Sequence, residues 1–305
     1  MLLVFLSLLI FSLFLIAIAA CCGPGSGILK QLPVVVIALS ALVIPNRAAA
    51  QTSEPDQSST AAPAANEPAE PAEPTATSPK ADYERPVSWK LLYRNVIADQ
   101  KQIWSFPARL VQGQHLLPTA AVLGTTAGLV FLDPSEARYF RSTQTFHGFS
   151  NIFTGNATAI GMGAVPASLY AIGLIRKDSK MQHTALLGGE ALADIVIVQT
   201  ALKDITRRVK PSRYPASGWF DSKGAPTSYL RGNGSFPSGH TMAAFSIATI
   251  VARRYRDHRW VPYAAYGLAA AVGFSRLALN VHFMSDVVMG GAIGYSISRF
   301  SVLRQ

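Results

Sequence analysis

Residues 237–251 read PSGHTMAAFSIATIV, and this stretch decides the architecture around it. A Pro-Ser-Gly run stands directly before an apolar helical pattern that starts at Thr241. We therefore expect a helix to begin here, with the backbone N–H groups of Ser238 and Gly239 at its N-terminus. Unpaired N–H groups and the helix dipole favour an anion at such a position. His240 follows directly, within reach of the same anion.

A histidine and an aspartate lie four residues apart in residues 275–286, which read SRLALNVHFMSD. If a helix begins near His282, this spacing lets the carboxylate of Asp286 accept the Nδ1 proton of the imidazole. The Nε2 lone pair of His282 then points away from the carboxylate, as a nucleophile or a general base requires. His240 of the preceding motif is a candidate to supply a proton to a leaving group.

Cations surround the end of a predicted helix in residues 203–211, which read KDITRRVKP. Lys203 and Lys210 flank this helix end, and together with Arg276 they are candidates to neutralise the oxygens of a pentavalent phosphorus. Fixed positive charge would then take the place of a metal ion. Further arginines add a positive field that favours anionic substrates in general, namely Arg207, Arg208 and Arg213.

These three stretches resemble the motifs of the type 2 phosphatidic acid phosphatase superfamily, which also includes bacterial acid phosphatases and vanadium-dependent haloperoxidases. The family motifs are K-x6-R-P, P-S-G-H and S-R-x5-H-x3-D. The second and third match residues 237–240 and 275–286 without substitution. The first departs, because Lys210 stands where the family has arginine, and an ammonium lacks the planar fork that binds phosphate through two bonds. Arg208 is an auxiliary candidate for that lost contact.

The resemblance implies a role for each of these residues. His282, oriented by Asp286, would be the nucleophile and form a phosphohistidine, and His240 would protonate the departing alcohol and then activate water. The phosphate-binding residues would be Lys203, Lys210, Ser238, Gly239 and Arg276. The resemblance also implies a metal-independent phosphatase without a cofactor, inhibited by vanadate. Its substrate would be a phosphomonoester or a diphosphate, with a lipid phosphate as the first expectation.

Each motif also has a simpler interpretation. A histidine four residues before an aspartate at a helix start is commonly a capping pair, and cations at a helix end complement its dipole. Histidine and carboxylate side chains can ligate zinc, but cations dominate the matched positions and would repel a metal, so we expect no metal site. The functional alternatives are a phosphatase of non-lipid monoesters, a vanadate-dependent haloperoxidase, and a non-catalytic membrane protein that binds lipid phosphates at an idle site.

Composition divides the chain into three parts. They are a hydrophobic leader at residues 1–50, a disordered linker rich in Pro, Ala and Glu at residues 51–84, and a helical domain at residues 85–305. The whole chain carries a net charge of +10, and because the linker is acidic, the helical domain is more basic than that figure suggests. The expected partners are an anionic phosphate ester and a membrane, with no nucleic acid.

The leader has two apolar runs. Residues 1–20 carry no charge and are long enough to cross a bilayer as an anchor. The second run follows Lys30 and leads into an Ala-x-Ala pattern, which predicts a secretory signal peptide cleaved after Ala50. A lipoprotein cleavage box at Cys21 is the alternative.

Hydrophobic periodicity predicts six helices in the third part, so we expect an all-α fold. The helices lie near residues 116–132, 155–175, 184–205, 239–255, 260–279 and 284–300. In an up-down bundle, the end of one helix and the start of the next lie at the same pole, so the three motifs should converge. This six-helix up-down bundle agrees with the phosphatidic acid phosphatase type of fold that the resemblance implies.

Several of these helices are apolar enough to meet lipid. The run at residues 155–175 carries no charge and is long enough to cross a bilayer, and the loops at residues 176–183 and 253–259 are basic, as is typical of the cytoplasmic side. We therefore predict a bacterial inner-membrane or membrane-associated protein whose site faces the periplasm. Glu190 and Asp194 oppose insertion of their helix unless they face the bundle or water.

Two further features leave alternatives open. With a single cleaved leader, six crossing helices would place the site in the cytoplasm, whereas a leader hairpin or a body translocated whole removes this conflict. Residues 88–106 are amphipathic, with Trp89, Tyr93 and Trp104 beside basic residues. They predict either an interfacial segment or a helix packed on the bundle.

Overall fold

The computed structural model describes residues 85–213, Phe220 and residues 234–304, so the predicted leader and linker lie outside the described residues. Within these ranges the regular structure is helical, without a strand. The α-helices are α1 (Leu92–Trp104), α2 (Phe106–Val111), α3 (Leu116–Ser142), α4 (His147–Ile152), α5 (Gly155–Ile175), α6 (Ser179–Thr206), α7 (Gly239–Arg254), α8 (Val261–Ala278) and α9 (Met284–Ser296). A π-helical turn at Ile297–Val302 extends α9. The expected all-α class is confirmed.

Six of these helices, α3 and α5 to α9, form the bundle that the periodicity predicted. Helices α5 and α6, α6 and α7, and α7 and α8 pack side by side, and α9 closes the bundle against α7 and α3. Contacts between distant segments join the helix ends at one pole. Arg141 donates to the carbonyl oxygen of Pro211 at 2.5 Å, and the Ser238 N–H donates to that of Asp286 at 3.0 Å. The six-helix up-down arrangement is confirmed, and this end of the bundle is the site pole.

Two helix boundaries differ from the prediction. Helix α3 continues to Ser142, well beyond its predicted end, because Asp133 turns inward and forms a buried ion pair instead of ending the apolar stripe. Helix α6 begins at Ser179, earlier than predicted. The carboxylate of Asp178 accepts the Met181 N–H at 3.0 Å and caps this helix start.

Two glycines let α9 lie directly against α7. A side chain on Gly290 would meet the carbonyl oxygen of Ser238 at 2.7 Å, and a side chain on Gly294 would overlap the backbone of Met242. Glycine is therefore required at both positions for this close approach of two helices. As a result, the start of α9 lies beside the start of α7, where the sequence motifs meet.

Glu190 and Asp194 on α6 face the bundle, and both are fully buried. Facing the bundle is one of the two arrangements under which we expected their helix to be able to insert into a membrane. Arg85 donates to Asp99 at 2.7 Å and to Glu190 at 2.9 Å. Gln100 on α1 donates to Asp194 at 2.8 Å. The polar face of α1 therefore packs on α6 through buried hydrogen bonds, which lowers the cost of placing these carboxylates inside the bundle.

Apolar surface covers the outer helices. Helices α3, α5 and α6 are long and apolar enough to cross a membrane. Only 17% of the apolar window is buried in α3 and in α5, against 50% in α6, so α3 and α5 lie at the periphery. Trp89, before α1, and Tyr93, in its first turn, are both exposed. Trp89 donates to the hydroxyl of Tyr170 on α5 at 2.7 Å, as expected for an aromatic belt. The chain is a membrane protein.

Candidate active site

The motif residues meet at the site pole. Lys203 lies in the last turn of α6 and Lys210 in the segment after it, while His240 lies in the first turn of α7. Arg276 lies in the last turn of α8, and His282 directly precedes α9. The two imidazoles are close enough to interact electrostatically, and both also interact with Lys203. The structure therefore brings together all three motifs, which are separated by long stretches of sequence.

His282 and Asp286 face each other but are not hydrogen bonded. Nδ1 of His282 lies 3.6 Å from Oδ2 of Asp286, which exceeds the usual hydrogen-bond distance. Among the described residues, this buried nitrogen has no hydrogen-bond partner. The sequence predicted a direct hydrogen bond, whereas the structure shows a longer contact between the same two groups.

Asp286 has several stronger contacts that fix its carboxylate. Oδ1 accepts a hydrogen bond from Arg208 at 2.5 Å. Oδ2 accepts the Phe283 N–H at 2.9 Å and a short hydrogen bond from the hydroxyl of Ser235. Burial alone would raise the pKa of Asp286, but His282, Arg208 and Ser235 together hold this pKa below its ordinary value. The carboxylate is therefore ionised at neutral pH.

Arg208 does not occupy the position that the sequence suggested for an auxiliary phosphate ligand. Its guanidinium is fully buried and donates to Asp133 at 2.6 Å as well as to Asp286. It also lies over the ring of Phe283, with 4.2 Å between the guanidinium carbon and the ring centroid. Because both arms of the planar fork bind carboxylates, we correct the auxiliary assignment: Arg208 supports Asp286.

Lys203 and Lys210 are partly buried, and within the described ranges neither ammonium group forms a hydrogen bond or an ion pair. Both charges lower the pKa of His282, in addition to the larger effect of burial, while Asp286 opposes them. Two unpaired cations beside an imidazole are unfavourable unless an anion joins them. These lysines are therefore available to bind an anionic group.

The start of α7 offers different donors from those predicted. The Ser238 N–H is taken by the carbonyl oxygen of Asp286, and the Ser238 hydroxyl lies 2.8 Å from that of Thr241. The next two backbone N–H groups, those of Gly239 and His240, have no partner among the described residues. The N–H groups left unpaired within the described ranges are therefore one residue further along the chain than predicted. A side chain at residue 239 would displace the flexible end of the Gln199 side chain.

His240 is held by the first residue of α5. Its Nε2 lies 3.1 Å from the carbonyl oxygen of Gly155, so this nitrogen carries the proton and donates. Burial lowers the pKa of His240 to about 4, and the charge of Arg276 adds to this effect, while the bond to Gly155 opposes it. His240 is therefore neutral at pH 7 when no anion is present.

Arg276 is anchored by the segment that joins α4 and α5. Its Nη2 donates to the carbonyl oxygen of Phe153 in a short hydrogen bond, to the Thr158 hydroxyl at 3.2 Å and to the Ser275 hydroxyl at 2.9 Å. The side chain is almost fully buried, at 1% exposure. The N-terminal end of α5 thus positions both Arg276 and His240, a contribution that the motifs do not reveal.

Sequence reasoning missed the residues that support the site but are not specified by the motifs. They are Asp133, Phe153, Gly155, Ser235 and Ser285. One signal was available: the stretch Asp133 to Glu136 places two carboxylates in an otherwise apolar helix, where charged groups usually have a partner and a function. The backbone carbonyl contacts have no such signal, because any residue can supply a carbonyl oxygen.

No group of three or more histidine, cysteine or acidic side chains suited to a metal occurs in the described ranges. Besides Asp286, the charged side chains that act on the two imidazoles are the cations Lys203, Lys210 and Arg276, which disfavour a divalent cation. Metal independence remains a prediction.

The helical bundle, with its motifs at one pole, agrees with a comparison against protein families. The model of the PAP2 superfamily matches residues 182–305, which include α6 to α9 and every predicted site residue. The match is to the same superfamily whose motifs residues 203–286 resemble.

Curated relatives and a solved structure share parts of this chain. A lipid A 1-phosphatase of Porphyromonas gingivalis is 43% identical over 61 residues, 20% of this chain and 14% of that protein. A lipid A 4'-phosphatase of the same organism is 30% identical over 130 residues, 42% of this chain and 54% of that protein. The chain thus spans little more than half the length of one relative and a small part of the other.

The solved structure of a transmembrane PAP2-type phosphatidylglycerolphosphate phosphatase from Bacillus subtilis is 20% identical and covers 60% of this chain and 92% of its own, with a TM-score of 0.42.

Proposed function

We propose that this protein is a metal-independent membrane phosphatase that removes phosphate from an anionic lipid through a phosphohistidine intermediate. The observation that carries the proposal is the position of His282, whose Nδ1 lies 3.6 Å from a buried carboxylate and whose ring interacts electrostatically with two unpaired ammonium groups. A binding site for a phosphate needs only the cations. An imidazole aligned with a carboxylate is useful when a nucleophile is needed as well. The membrane location and the two lipid A phosphatase relatives support a lipid substrate.

The first step forms a bond between Nε2 of His282 and phosphorus, while the bond from phosphorus to the alcohol oxygen breaks. The alcohol leaves with a proton from His240. As Nε2 of His282 is phosphorylated, the ring becomes cationic, and the carboxylate of Asp286 stabilises that charge through Nδ1. Closing the 3.6 Å gap between these two groups would strengthen the interaction as the charge develops.

The second step returns the enzyme to its starting state. His240, now neutral, takes a proton from water, and the oxygen of that water attacks phosphorus. The bond between phosphorus and Nε2 of His282 breaks, the electron pair returns to the imidazole, and inorganic phosphate leaves. At the end of the turnover His240 is protonated again and His282 is neutral.

Positive groups stabilise the five-coordinate phosphorus in both steps. We assign the phosphate oxygens to Lys203, Lys210, Arg276 and the N–H groups of Gly239 and His240. The ammonium groups are free of other partners within the described ranges, so they need not break an ion pair to bind substrate. A bound phosphate also raises the pKa of His240 from about 4, since the anion favours the protonated ring. Substrate binding thereby supplies the acid that the first step uses.

We further propose that the site pole faces the periplasm. The basic segments at residues 176–183 and 253–259 include the connections between helix ends at the opposite pole. Basic segments next to membrane-spanning helices are typically retained on the cytoplasmic side. This orientation places the phosphate-binding residues at the outer surface of the inner membrane.

The experiment that tests the function is phosphate release from a panel of esters by the purified protein in detergent. The panel contains lipid A, phosphatidic acid and a soluble monoester, each with and without a chelator and with vanadate. Release from the lipids that resists the chelator and is inhibited by vanadate is expected. Release from the soluble ester alone would indicate an acid phosphatase, halide oxidation with vanadate and peroxide would indicate a haloperoxidase, and binding without turnover would contradict catalysis.

The pH dependence of kcat/KM with p-nitrophenyl phosphate should reveal His282. This ester has a good leaving group and needs little proton donation, so the acid limb reports on the nucleophile. His282 attacks only when neutral, and burial lowers its pKa, so activity should persist below pH 6.5 and fall at more acidic pH. The ionisation of the ester is measured by phosphorus NMR, and the pH dependence of kcat/KM is corrected for it. An acid limb above pH 6.5 would contradict the assignment.

Replacing Lys210 should separate charge from geometry. We expect Lys210→Ala to raise KM by about 10- to 100-fold, since an ammonium–phosphate contact is lost from a partly buried site. Lys210→Arg restores the charge and the family residue, so KM should stay near or below the wild-type value. Steady-state kinetics with one lipid substrate measure both variants. Equal KM values for Lys210→Ala and the wild type would remove Lys210 from the phosphate cradle.

A further inference from the structure

Asp133 lies on α3, far from the motifs in sequence, yet it is connected to the candidate nucleophile by buried contacts. Oδ2 of Asp133 accepts hydrogen bonds from Arg208 at 2.6 Å and from the Ser285 hydroxyl at 2.5 Å. Its Oδ1 accepts the Ser285 N–H at 3.2 Å. Both carboxylate oxygens are therefore engaged, and the side chain has one allowed orientation.

Arg208 continues these contacts toward the site. One arm of its guanidinium binds Asp133, and the other donates to Asp286 at 2.5 Å and to the Ser285 hydroxyl at 2.7 Å. All four side chains have no solvent exposure. Because the guanidinium is planar and rigid, the position of one carboxylate fixes the position of the other.

The charge distribution explains why Asp133 matters to Asp286. If Asp133 were neutral, the full charge of Arg208 would act on Asp286 and draw that carboxylate away from His282. With Asp133 ionised, the positive charge of Arg208 interacts with two carboxylates. The negative charge of Asp286 is then less neutralised by Arg208 and interacts more strongly with the imidazole of His282. Buried ion pairs of this kind contribute little net stability, and orientation is the role best supported for them.

We infer that Asp133 is a positioning residue of the site, which acts through Arg208 and Ser285 to hold the carboxylate of Asp286 in line with the His282 ring. The inference rests on the proposed function. The simpler alternative is that the same contacts only fasten α3 to α9. The geometry favours positioning, because the contacts end on the one carboxylate that faces His282.

Asp133→Asn tests the inference, since the amide keeps the shape and removes the charge. The matched control is Glu136→Gln on the same helix. Glu136 is equally buried, at 3% exposure, and forms no hydrogen bond to Arg208 or Asp286. We expect Asp133→Asn to lower kcat by about 10- to 100-fold, the scale of a small misplacement of a reacting group. Glu136→Gln should stay close to the wild type.

A pH profile separates positioning from damage to the fold. His282 is faced by Lys203 at the end of α6, Lys210 in the segment after α6, His240 on α7 and Asp286 on α9. Only the Asp286 contribution changes in Asp133→Asn, so the acid limb of kcat/KM for p-nitrophenyl phosphate should move to lower pH. A partly misfolded sample contains fewer active molecules and leaves the limb in place.

Each outcome decides the inference. A lower kcat with a displaced limb, together with a normal Glu136→Gln, supports it. The inference would be overturned by a wild-type pH profile in Asp133→Asn, or by a lower kcat in that variant without a displaced acid limb. The same change in Glu136→Gln would also overturn it. If Asp133→Asn does not accumulate in membranes, Ser285→Ala takes its place with the same expectation, and unchanged kinetics would overturn the inference. A wild-type protein without turnover would instead overturn the proposed function, and with it this inference.

Discussion

His282→Ala should abolish phosphate release from every ester in the panel. The variant has no nitrogen to attack phosphorus, and loss of a nucleophile from a working site lowers kcat by at least about 10⁴-fold. The remaining cations still bind phosphate, so the affinity for inorganic phosphate should change little. Phosphate release and phosphate binding by the same purified sample measure both expectations.

The control for this variant is His258→Ala. His258 is exposed in the loop between α7 and α8, at the pole opposite the site. The same chemical deletion there should leave both turnover and binding unchanged. Full activity of His282→Ala would remove the proposed mechanism, even if the protein were shown to be a phosphatase.

Asp286→Asn should give the second-largest effect, a decrease in kcat of about 10³- to 10⁴-fold, the scale seen when the acid of a catalytic triad becomes an amide. The amide cannot stabilise a cationic imidazole, and its NH2 group would face either Arg208 or the Ser235 hydroxyl and the Phe283 N–H. The fold should be less stable as well, because Arg208 loses one of its two carboxylates.

Asp257→Asn is the matched control for this substitution. Asp257 is exposed near Lys180, 3.1 Å from its ammonium group, on the opposite side of the bundle. Its replacement should change neither kcat nor thermal stability, since exposed ion pairs contribute little. Asp286→Asn would contradict our account if its kcat equalled that of the wild type in a sample shown by circular dichroism to be folded.

The sequence predicted the positions that depend on local order along the chain. The helix start at Gly239 follows from the Pro-Ser-Gly run, and the i to i+4 spacing placed His282 and Asp286 face to face. Alternation of helix direction was enough to bring Lys203 to the same pole. These features depend on helix geometry and on the order of helices, both of which can be worked out from the chain alone.

The sequence could not predict which partner each polar group would choose. Arg208 and Lys210 are both cations near Pro211, yet one binds two buried carboxylates and the other stays unpaired. Arg208 binds these carboxylates because the packing of α3 on α9 places Asp133 next to it. The Ser238 N–H is not available for an anion, for a similar reason. Helix α9 packs close enough for the carbonyl oxygen of Asp286 to accept a hydrogen bond from it.

The account depends most directly on a covalent bond between phosphorus and His282. His240→Ala should accumulate this species from p-nitrophenyl phosphate, because the good leaving group departs without an acid while hydrolysis lacks its base. Rapid quenching at alkaline pH, proteolysis and mass spectrometry should locate one acid-labile phosphoryl group on the peptide that contains His282. Release of p-nitrophenol with no phosphoryl group on the protein, or with the group on another residue, would contradict the account.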